Sequence, residues 1–590
     1  MRSSRLFAAV FVLALVATQV PLWSVRWVPM GDLGGHIELM DAVIRYDDPA
    51  TNYAEVYTRF EGLAPNTFSL VAAQALGGIA DARVVAKLLF GLFALTLPLS
   101  ILFLCRVFGR SPWLAFAAFP FVYGGLTNFG LLNFLVAVPL LFVAVGLAKR
   151  FSDHGDLGSA ALLGGSLIAI FFVHGLALFF ALGCVALVIA VHVRRPAQVL
   201  RFAPLAAPVP FMVPWLIGIF DALGGPPGEE GADGPLDAFW LPLSLMPRKF
   251  YDGALQYFRD ATDEVAFALI VTAWVLLAFS GWRQRGEGPR RDKRARVEFA
   301  TPLLLAVACL AAFFVLPIDF RELAIVSWRV PILVCLFVAV SPAPDLKQKL
   351  DRFALGMLAA VAVAYPLVVA GRFVAWERDG LGDLEAAVAT IEDRTRLAVV
   401  YPELMDQTFY GNVHWHIPKA MHVMQNGGVT NDSFARRSYT PIRYQPRQLF
   451  DRINEENYAN HPVLSRYDVL LLRAYAEPKA ARDNPWLSFR VRVGDYWLYD
   501  VDAVEAGRRV WAVGGPAKDR VTAYCADGAR VRSLHLIVGP LWVTYAAPRC
   551  EPERPPGSPG IGGRAHDARA ATLSCPEPLW VVGMHGYSGS

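Results

Sequence analysis

Long apolar runs separated by short polar stretches dominate the first two thirds of the chain. A membrane span needs about 20 mostly apolar residues, and the first such run extends from Leu6 to about Trp23, after two arginines. No clear cleavage site of small residues follows it, so the pattern favours a retained span over a cleaved signal peptide. The further runs lie near 84–105, 113–128, 131–148, 158–173, 175–193, 200–220, 264–282, 299–316, 328–341 and 353–371. The chain is therefore expected to have about eleven spans.

The basic residues between these runs predict the orientation of the spans. Lys and Arg cluster in the loops after every second run, most densely between Arg283 and Arg296. Basic residues concentrate in the cytoplasmic loops of membrane proteins. The N-terminus is therefore expected inside, and everything after about residue 376 outside. Two long outer segments result, at 25–83 and 221–263.

The last third of the chain has the pattern of folded domains outside the membrane. Charged residues become common, and buried strands are predicted at Arg396–Tyr401 and Tyr467–Leu472, with a hairpin turn at Gly494-Asp495. These elements predict an α/β domain over residues 377–507. Residues 508–590 show short alternating runs with many Gly and Pro and no helical period, which predicts an all-β module.

Composition agrees with a membrane protein. The 590 residues are 55% hydrophobic and 18% charged, the mean hydropathy is +0.39, and soluble domains carry about 25% charged residues. The net charge of +4 is too weak for a nucleic-acid-binding protein. These values exclude a cytosolic enzyme, a fibrous protein and a disulfide miniprotein. The expected location is a bacterial inner or cell membrane, with the C-terminal domains periplasmic or extracellular.

The cysteines divide in the same way as the chain. Four of the seven lie in or beside predicted spans, where cysteine behaves as a small hydrophobic residue. The other three, Cys525, Cys550 and Cys575, lie in the outer module, where disulfides persist. An odd number allows at most one pair among them and leaves a thiol over. The pattern does not decide which two residues pair.

A segment soon after the first span carries the candidate chemistry. Residues 29–41 read PMGDLGGHIELMD and contain four ionisable side chains, Asp32, His36, Glu38 and Asp41. Its glycines permit a tight and unusual backbone path. Ionisable groups held near a bilayer are energetically costly and tend to be functional. The segment is therefore the first candidate for an active site.

The same segment predicts a helix with an acid at its start. From residue 35 to 46 the apolar spacing is that of an amphipathic helix lying along the membrane surface, with Asp32 just ahead of its first turn. Desolvation near a bilayer raises the pKa of a carboxyl group, which suits a general base. His36 could share its proton, bind a phosphate or assist a metal. The alternative is structural, with Asp32 as a helix N-cap and His36 as a solvated side chain.

This layout resembles the GT-C glycosyltransferases, integral membrane enzymes that use polyprenyl-phosphate sugars. The resembling layout is a first span, a long outer loop at 25–83 and about ten more spans, which together cover residues 1–376, followed by an outer C-terminal region. In that family an Asp soon after the first span is the catalytic base or binds the acceptor, and Asp32 in GDLGGH is the matching residue. The loop also tends to carry surface helices, for which 35–46 and 66–80 are candidates. A second acidic residue often adjoins the first in the family, whereas no neighbour of Asp32 is acidic, which leaves the use of a divalent metal open.

The resemblance implies further site residues. A lipid-phosphate sugar needs cations for its phosphate at the outer surface. Arg321 and Arg329 lie in a predicted outer loop close to the membrane, and Arg59 and Lys87 are further candidates. The alternatives are a salt bridge with a neighbouring acid for Arg321 and an interfacial anchor for Arg329. Glu38 is a further substrate-binding candidate, because it or Asp41 would have to replace the family's second acid.

Two further patterns in the outer region are weaker. His414, His416 and His422 invite a zinc site, but no Cys or carboxylate pair with ligand spacing accompanies them, so no metal site is predicted. The module 508–590 faintly resembles β-prism lectin-like repeats, in which cysteine-bearing segments end in Gly-rich turns such as 583–589. That resemblance implies either carbohydrate binding or a structural module.

These observations favour a membrane glycosyltransferase with Asp32 as general base. The enzyme would move a sugar from a polyprenyl-phosphate donor to a glycan, lipid or protein acceptor outside the cytoplasm. One alternative is a transporter or flippase of lipid-linked glycans, although such proteins often break helices at matching positions, and the only break seen is at His174. The other is a sugar-binding membrane protein without catalytic activity. The sugar, the acceptor and the oligomeric state are not predicted.

Overall fold

The computed structural model describes most of the chain and divides it into two compact units. The described residues are 2–62, 64–193, 195–224, 238–284, 293–320, 325–401, 408–431, 433–436, 440–445, 453, 458, 464, 466–484, 486–502, 530–538, 543–551 and 569–574. The first unit, called the helical unit, consists of Met1–Gly382, Met405–Gln425 and Ser433–Leu449. The second, called the sheet unit, consists of Asp383–Leu404, Asn426–Asp432 and Phe450–Ser590. Two segments that follow the last predicted span thus belong with the helices.

Helices account for most of the described chain. Apolar side chains rich in Leu, Ala, Val and Phe form their surfaces, and acidic caps start some of them: Asp81 accepts a hydrogen bond from the main-chain N–H of Val84 at 2.8 Å at the start of α5. The α-helices are α1 (Arg2–Trp23), α2 (Leu33–Ile44), α3 (Tyr53–Val56), α4 (Phe68–Leu76), α5 (Ala82–Val107), α6 (Gly125–Phe129), α7 (Leu132–His154), α8 (Leu157–Val173), α9 (Gly175–His192), α10 (Val209–Gly224), α11 (Met246–Ala254), α12 (Thr262–Gln284), α13 (Lys293–Phe299), α14 (Thr301–Val315), α15 (Pro331–Val340), α16 (Lys349–Asp379), α17 (Leu384–Val388), α18 (Ile417–Asn426) and α19 (Lys479–Arg482).

Several of these helices are long and apolar enough to cross a membrane. Among the described residues six qualify alone: Arg5–Trp23, Ala82–Val107, Leu132–His154, Gly175–His192, Thr262–Arg283 and Lys349–Asp379. A pair bent by 55°, Pro196–Ala206 with Val209–Ile217, makes a seventh if it is one span. Three shorter apolar helices, Leu157–Val173, Thr301–Val315 and Ser327–Val340, lie at further predicted runs. This is the architecture of a polytopic membrane protein; the count of about eleven spans and their orientation stay predictions.

The run predicted as a span at 113–128 is not one α-helix. It forms 3₁₀ turns at Pro112–Ala118 and Pro120–Tyr123, followed by the short α6. Two prolines and a Gly-Gly pair explain this, because proline removes a helical hydrogen bond and glycine disfavours a helix. The main chain of Phe129 nevertheless bonds back to Asp32, beside the start of α5. The segment therefore returns along the length of α5, aided by the rise of about 2.0 Å per residue in a 3₁₀ helix.

The first long loop contains the two predicted surface helices, as α2 and α4. α2 is more deeply buried than an amphipathic surface helix would be, since even Glu38 and Asp41 are inside. α2 is covered by three pieces of chain that follow the last predicted span. These pieces (408–425, 433–436 and 440–445) are called the closing segments. Tyr53 Oη donates to the carbonyl of Val423 at 3.0 Å. This packing was not predicted from the sequence.

Main-chain bonds extend the contact between the closing segments and the rest of the helical unit. The N–H of Thr58 donates to the carbonyl of Arg443 at 2.7 Å. The N–H of Tyr410 donates to the carbonyl of Tyr257 at 2.9 Å. Two other loops that are predicted to lie outside pair through a short antiparallel ladder of β1 (Ala238–Phe239) and β2 (Asp319–Phe320). Backbone hydrogen bonds therefore tie together the loops of the helical unit that are predicted to lie outside.

The sheet unit is built around a mixed five-stranded sheet. Its strands are β3 (Arg396–Val400), β4 (Val429–Thr430), β5 (Val469–Arg473), β6 (Leu487–Val493) and β7 (Tyr496–Val501), in the order β4-β3-β5-β7-β6. β3 pairs parallel with β4 and β5, and β7 pairs antiparallel with β5 and β6. The predicted strands at 396–401 and 467–472 are present. The predicted hairpin turns at Gly494, whose φ of 57° suits glycine.

Three more strands lie near the end of the chain. β8 (Arg530–Val538), β9 (Val543–Glu551) and β10 (Arg569–Ser574) form an antiparallel sheet in the order β10-β8-β9. Cys525 and Cys575 lie outside the described residues, and so does the side chain of Cys550. The disulfide and the lectin-like character of 508–590 therefore stay predictions.

Candidate functional site

Two glycines explain how the candidate segment packs. A Cβ atom added at Gly34 would overlap the main chain of His416, and one added at Gly35 would lie 2.9 Å from the Phe434 ring. Real Cβ atoms almost never approach other atoms so closely, so a larger residue would push the closing segments away. The GDLGGH pattern thus lets the chain after the last span press against the first turn of α2.

Asp32 stands at the start of α2 without capping it. Its main-chain N–H donates to the carbonyl of Phe129 at 2.8 Å, which fixes the backbone. Its carboxylate makes no cap hydrogen bond to the helix, so the N-cap alternative fails. The side chain is 37% exposed, and its Oδ1 lies 4.0 Å from Nε2 of His416, whose side chain is 6% exposed. A partly exposed carboxylate therefore faces a buried imidazole.

His36 follows Asp32 by one helical turn and lies near the same aromatic ring as His416. The His36 and Phe434 ring centroids are 5.3 Å apart, and those of His416 and Phe434 are 5.4 Å apart. Residues four apart on a helix share a face. Asp32 and His36 thus form one face of α2, with Phe434 packed against both imidazoles.

Arg329 belongs to a neighbouring cluster. It is buried, its Nη1 lies 3.0 Å from Nε2 of His174, and its guanidinium lies 5.2 Å from the Phe134 ring centroid. A guanidinium can only donate, so His174 accepts with Nε2 and is neutral in this arrangement. His174 is also near enough to His36 for their charges to interact. The Arg329 cluster therefore lies within electrostatic range of His36 on the Asp32 face.

The remaining candidates have other surroundings. Arg59 is exposed, forms an ion pair with Asp47 and lies over the Tyr46 ring at 4.4 Å. Glu38 is fully buried and accepts a hydrogen bond from Tyr57 Oη at 2.9 Å. Arg321 lies outside the described residues. The structure thus does not bring Arg59 or Glu38 into the exposed part of the site.

Asp41 continues the buried face of α2. It is nearly fully buried and accepts a hydrogen bond from Tyr53 Oη at 2.7 Å, with Arg45 at 3.5 Å. Burial is the largest influence and raises the pKa of Asp41 to about 6, against 3.8 for an ordinary Asp. Asp41, like Glu38, therefore holds α2 to the loop that follows it.

Replacing Asp41 by asparagine is expected to stabilise the protein at pH 8. Because the folded-state pKa lies above the unfolded one, the stability that the protonated carboxyl provides is lost as the pH rises from about 4 to 6. Two pKa units correspond to about 3 kcal/mol, which is the upper limit of the gain. Thermal unfolding of Asp41→Asn and wild type should differ at pH 8 and converge near pH 4. A variant that is less stable at pH 8 would contradict the prediction.

Sequence reasoning missed the most telling residue. His416 stood out only as part of a discounted zinc pattern, and nothing local in the sequence relates it to Asp32. Sequence reasoning also missed Lys249, which lies close to the residue before Arg329. Its Nζ is 4.5 Å from the Trp328 ring centroid and 3.0 Å from Oδ2 of buried Asp252. The sequence signal that could have identified Lys249 is the basic pair Arg248-Lys249 in the predicted outer segment 221–263.

Metal-ligand side chains are sparse around this face. Within the described parts of the chain, no group of three or more His, Cys, Asp or Glu side chains is arranged to hold a metal ion. Asp32 and His416 are a carboxylate and an imidazole facing each other, which is an arrangement suited to moving a proton.

Comparison with known proteins gives the fold. No protein-family model matches the sequence, and no curated protein matches it. The crystal structure of ArnT from Cupriavidus metallidurans in the apo state is similar over 85% of this chain and 99% of ArnT, with 12% identity and a TM-score of 0.51. The cryo-EM structure of arabinofuranosyltransferase AftD from Mycobacteria is similar over 87% of this chain, with 14% identity and a TM-score of 0.47. The chain spans 41% of the length of AftD.

The similarity to ArnT extends over nearly all of both chains. The chain therefore has the GT-C fold, and the resemblance inferred from layout is confirmed at the level of fold.

Proposed function

We propose that the chain is a membrane glycosyltransferase that moves a sugar from a polyprenyl phosphate to an acceptor hydroxyl, with Asp32 as general base. The observation that carries this proposal is the partly exposed carboxylate of Asp32 facing buried His416, at the start of a helix next to the first span. The GT-C fold supports it, since enzymes of that superfamily are membrane glycosyltransferases.

The proposed reaction requires one proton transfer and one exchange of bonds. Asp32 takes the proton of the acceptor hydroxyl while the oxygen attacks the anomeric carbon of the donor sugar. A glycosidic bond forms, and the bond between that carbon and the phosphate oxygen breaks. The polyprenyl phosphate leaves with one more negative charge than the donor phosphate had. Cations near the leaving group would therefore favour the transition state.

His416 is the proposed partner of Asp32. An imidazole 4.0 Å from the carboxylate can limit its rotation and, when protonated, stabilise its ionised form. The packing of Phe434 against both His36 and His416 holds the two rings in place. His36 lies on the acceptor side in this proposal, since it follows Asp32 along one face of α2.

Arg329 is the proposed phosphate-binding residue among those described. Its guanidinium is buried, contacts the His174 imidazole at 3.0 Å and lies 5.2 Å from the Phe134 ring centroid. An incoming phosphate would offer a stronger acceptor than an imidazole. Arg321 stays a candidate for the same role.

A transfer assay tests the proposal directly. The full chain in lipid nanodiscs is supplied with polyprenyl-phosphate sugars and a panel of hydroxyl acceptors, and release of polyprenyl phosphate is measured with and without acceptor. Release that depends on acceptor supports the enzyme. Transport of the intact donor across proteoliposomes without any release would favour a flippase instead.

Replacing Arg329 by glutamine is expected to raise the KM for the lipid-phosphate donor at least tenfold. A hydrogen bond to a charged group contributes about 1.5–3 kcal/mol, which corresponds to roughly 10- to 100-fold. Arg329→Lys should lose less, because it keeps the charge. Arg372→Gln is a matched control, as Arg372 is half-exposed and pairs with Asp260. Equal KM values in all four proteins would contradict the assignment.

A further inference from the structure

Two cysteines of neighbouring helices face each other inside the helical unit. The Sγ atoms of Cys184 in α9 and Cys309 in α14 are 3.9 Å apart, although 125 residues separate them along the chain. Both are free thiols, and each residue is buried, with an exposed fraction of 7%. The sulfurs of a disulfide lie about 2.0 Å apart, so this pair is in contact without a covalent bond. The fold therefore brings two reduced thiols together.

Each thiol lies on the buried face of its helix. In α9, Ala181 and Val188 are buried on the same side as Cys184, three residues before it and four after it. In α14, Leu305 is buried four residues before Cys309. Bonding requires the sulfurs to approach from 3.9 Å to about 2.0 Å. Rotation about the two Cα–Cβ bonds moves the sulfurs and leaves the backbone of both helices in place.

The surroundings of the pair decide which oxidant can reach it. Cys184 and Cys309 lie near the middle of their helices, and both helices occupy apolar runs predicted as spans. An oxidant that reaches the two thiols must therefore dissolve in the bilayer. Neither two thiols nor a disulfide carry a charge, so the reaction leaves no uncompensated charge in apolar surroundings.

We propose that Cys184 and Cys309 are an oxidation site, at which an organic hydroperoxide of the bilayer converts the two thiols into a disulfide between α9 and α14. One sulfur attacks the terminal oxygen of the hydroperoxide and forms a sulfenic acid. The O–O bond breaks, and the other oxygen leaves as an alcohol with the thiol proton. The second sulfur attacks the sulfenic sulfur, the S–S bond forms, and the hydroxyl leaves as water with the second thiol proton. The two sulfurs together lose two electrons, which reduce the O–O bond.

Both helices lead to the contact between Arg329 and His174. His174 directly precedes α9. The chain just after α14 holds the turn that contains Arg329, since the N–H of Ser327 donates to the carbonyl of Pro317 at 3.1 Å. A disulfide between the two helices therefore fixes the spacing of the guanidinium and the imidazole. An incoming phosphate can then no longer draw Arg329 away from His174, a consequence that rests on the proposed function.

Peptide mapping tests the oxidation site without an activity assay. The full chain in lipid nanodiscs is treated with cumene hydroperoxide, its remaining thiols are blocked with N-ethylmaleimide, and the unreduced digest is analysed by mass spectrometry. A peptide that links Cys184 to Cys309 should form in wild type, disappear after reduction with dithiothreitol and be missing from Cys184→Ser. Wild type without the linked peptide would overturn the proposal, and so would a link from Cys184 to a different cysteine.

The matched controls are Cys105→Ser and Cys335→Ser. Both cysteines are buried free thiols of the helical unit, and neither has a sulfur contact among the described residues. The two variants should form the linked peptide to the same extent as wild type. Loss of the link in either of them would contradict a direct reaction between Cys184 and Cys309. Unchanged unfolding midpoints confirm that the variants are folded.

A second measurement addresses the coupling to the transfer reaction. Oxidation should raise the KM for the lipid-phosphate donor about 2- to 10-fold in wild type, the effect of weakening one hydrogen bond. Cys184→Ser should keep its KM after the same treatment. A fully linked protein with an unchanged KM would contradict the coupling to Arg329. A chain that forms the link but transfers no sugar before oxidation would contradict the proposed function and leave the oxidation site supported.

Discussion

Replacing Asp32 by asparagine is expected to slow sugar transfer by about 10²- to 10⁴-fold, the range for loss of a general base. Asparagine has nearly the same size but cannot take the acceptor proton. The main-chain bond from residue 32 to the Phe129 carbonyl at 2.8 Å does not involve the side chain, so α2 should start at the same place. The measurement is the initial rate of acceptor-dependent release of polyprenyl phosphate at saturating donor.

The matched control for this experiment is Asp379→Asn. Asp379 is an exposed acid at the end of α16 that pairs with Arg378. Its replacement should leave the rate within about twofold, since exposed ion pairs contribute little. Full activity of the folded Asp32→Asn protein would sink the proposed mechanism, while the fold assignment would stand.

Replacing His416 by alanine is expected to lower kcat about 10- to 100-fold with little change in the KM for the donor. The range follows from a charged interaction of about 1.5–3 kcal/mol. His416 acts on the acceptor only through Asp32 in this proposal, so it is a positioning residue. His416→Gln, whose amide nitrogen reaches about as far as Nε2, should restore part of the loss.

A double-mutant cycle distinguishes positioning from a purely structural role. If His416 acts through the carboxylate, His416→Ala should have almost no further effect in a protein that already carries Asp32→Asn. A structural role would slow both backgrounds equally. His154→Ala, in an exposed histidine at the end of α7, is the control and should match wild type. Additive effects of the two substitutions would contradict the assignment.

The local sequence pattern was sufficient to predict several helices and strands of this chain. Apolar runs of span length predicted α5, α7 and α16, because burial in lipid demands continuous apolar sequence. β-Branched and apolar runs predicted β3 and β5, and Gly494 marked the turn between β6 and β7. In each case the signal lies within the element itself.

The same reasoning fell short where several prolines shared one run. Hydropathy does not distinguish an α-helix from the 3₁₀ turns at Pro112–Ala118 and Pro120–Tyr123, since both bury apolar side chains. The sequence shows the prolines, but it does not show that residues 113–128 have to run back along α5. The apolar pattern of this run therefore does not predict whether it forms an α-helix or 3₁₀ turns.

The sequence predicted only some of the residues of the candidate site. Asp32 and His36 were found because they lie together in a glycine-rich segment next to a span. His416 comes from a part of the chain on the far side of every predicted span, and contacts at such separation leave no local periodicity. Arg59 shows that charge and loop position do not reveal the surroundings of a side chain, since the structure pairs it with Asp47 in solvent.

The origin of His416 so late in the chain bears on biogenesis. Asp32 leaves the ribosome among the first residues, whereas its facing imidazole and the Phe434 ring are synthesised only after all the predicted spans. A nascent chain therefore lacks the proposed partner of Asp32 throughout the synthesis of the predicted spans. If Asp32 and His416 act together as proposed, transfer begins only when the region through residue 434 has been synthesised, so a partly made molecule in the bilayer would not consume the proposed lipid-linked donor.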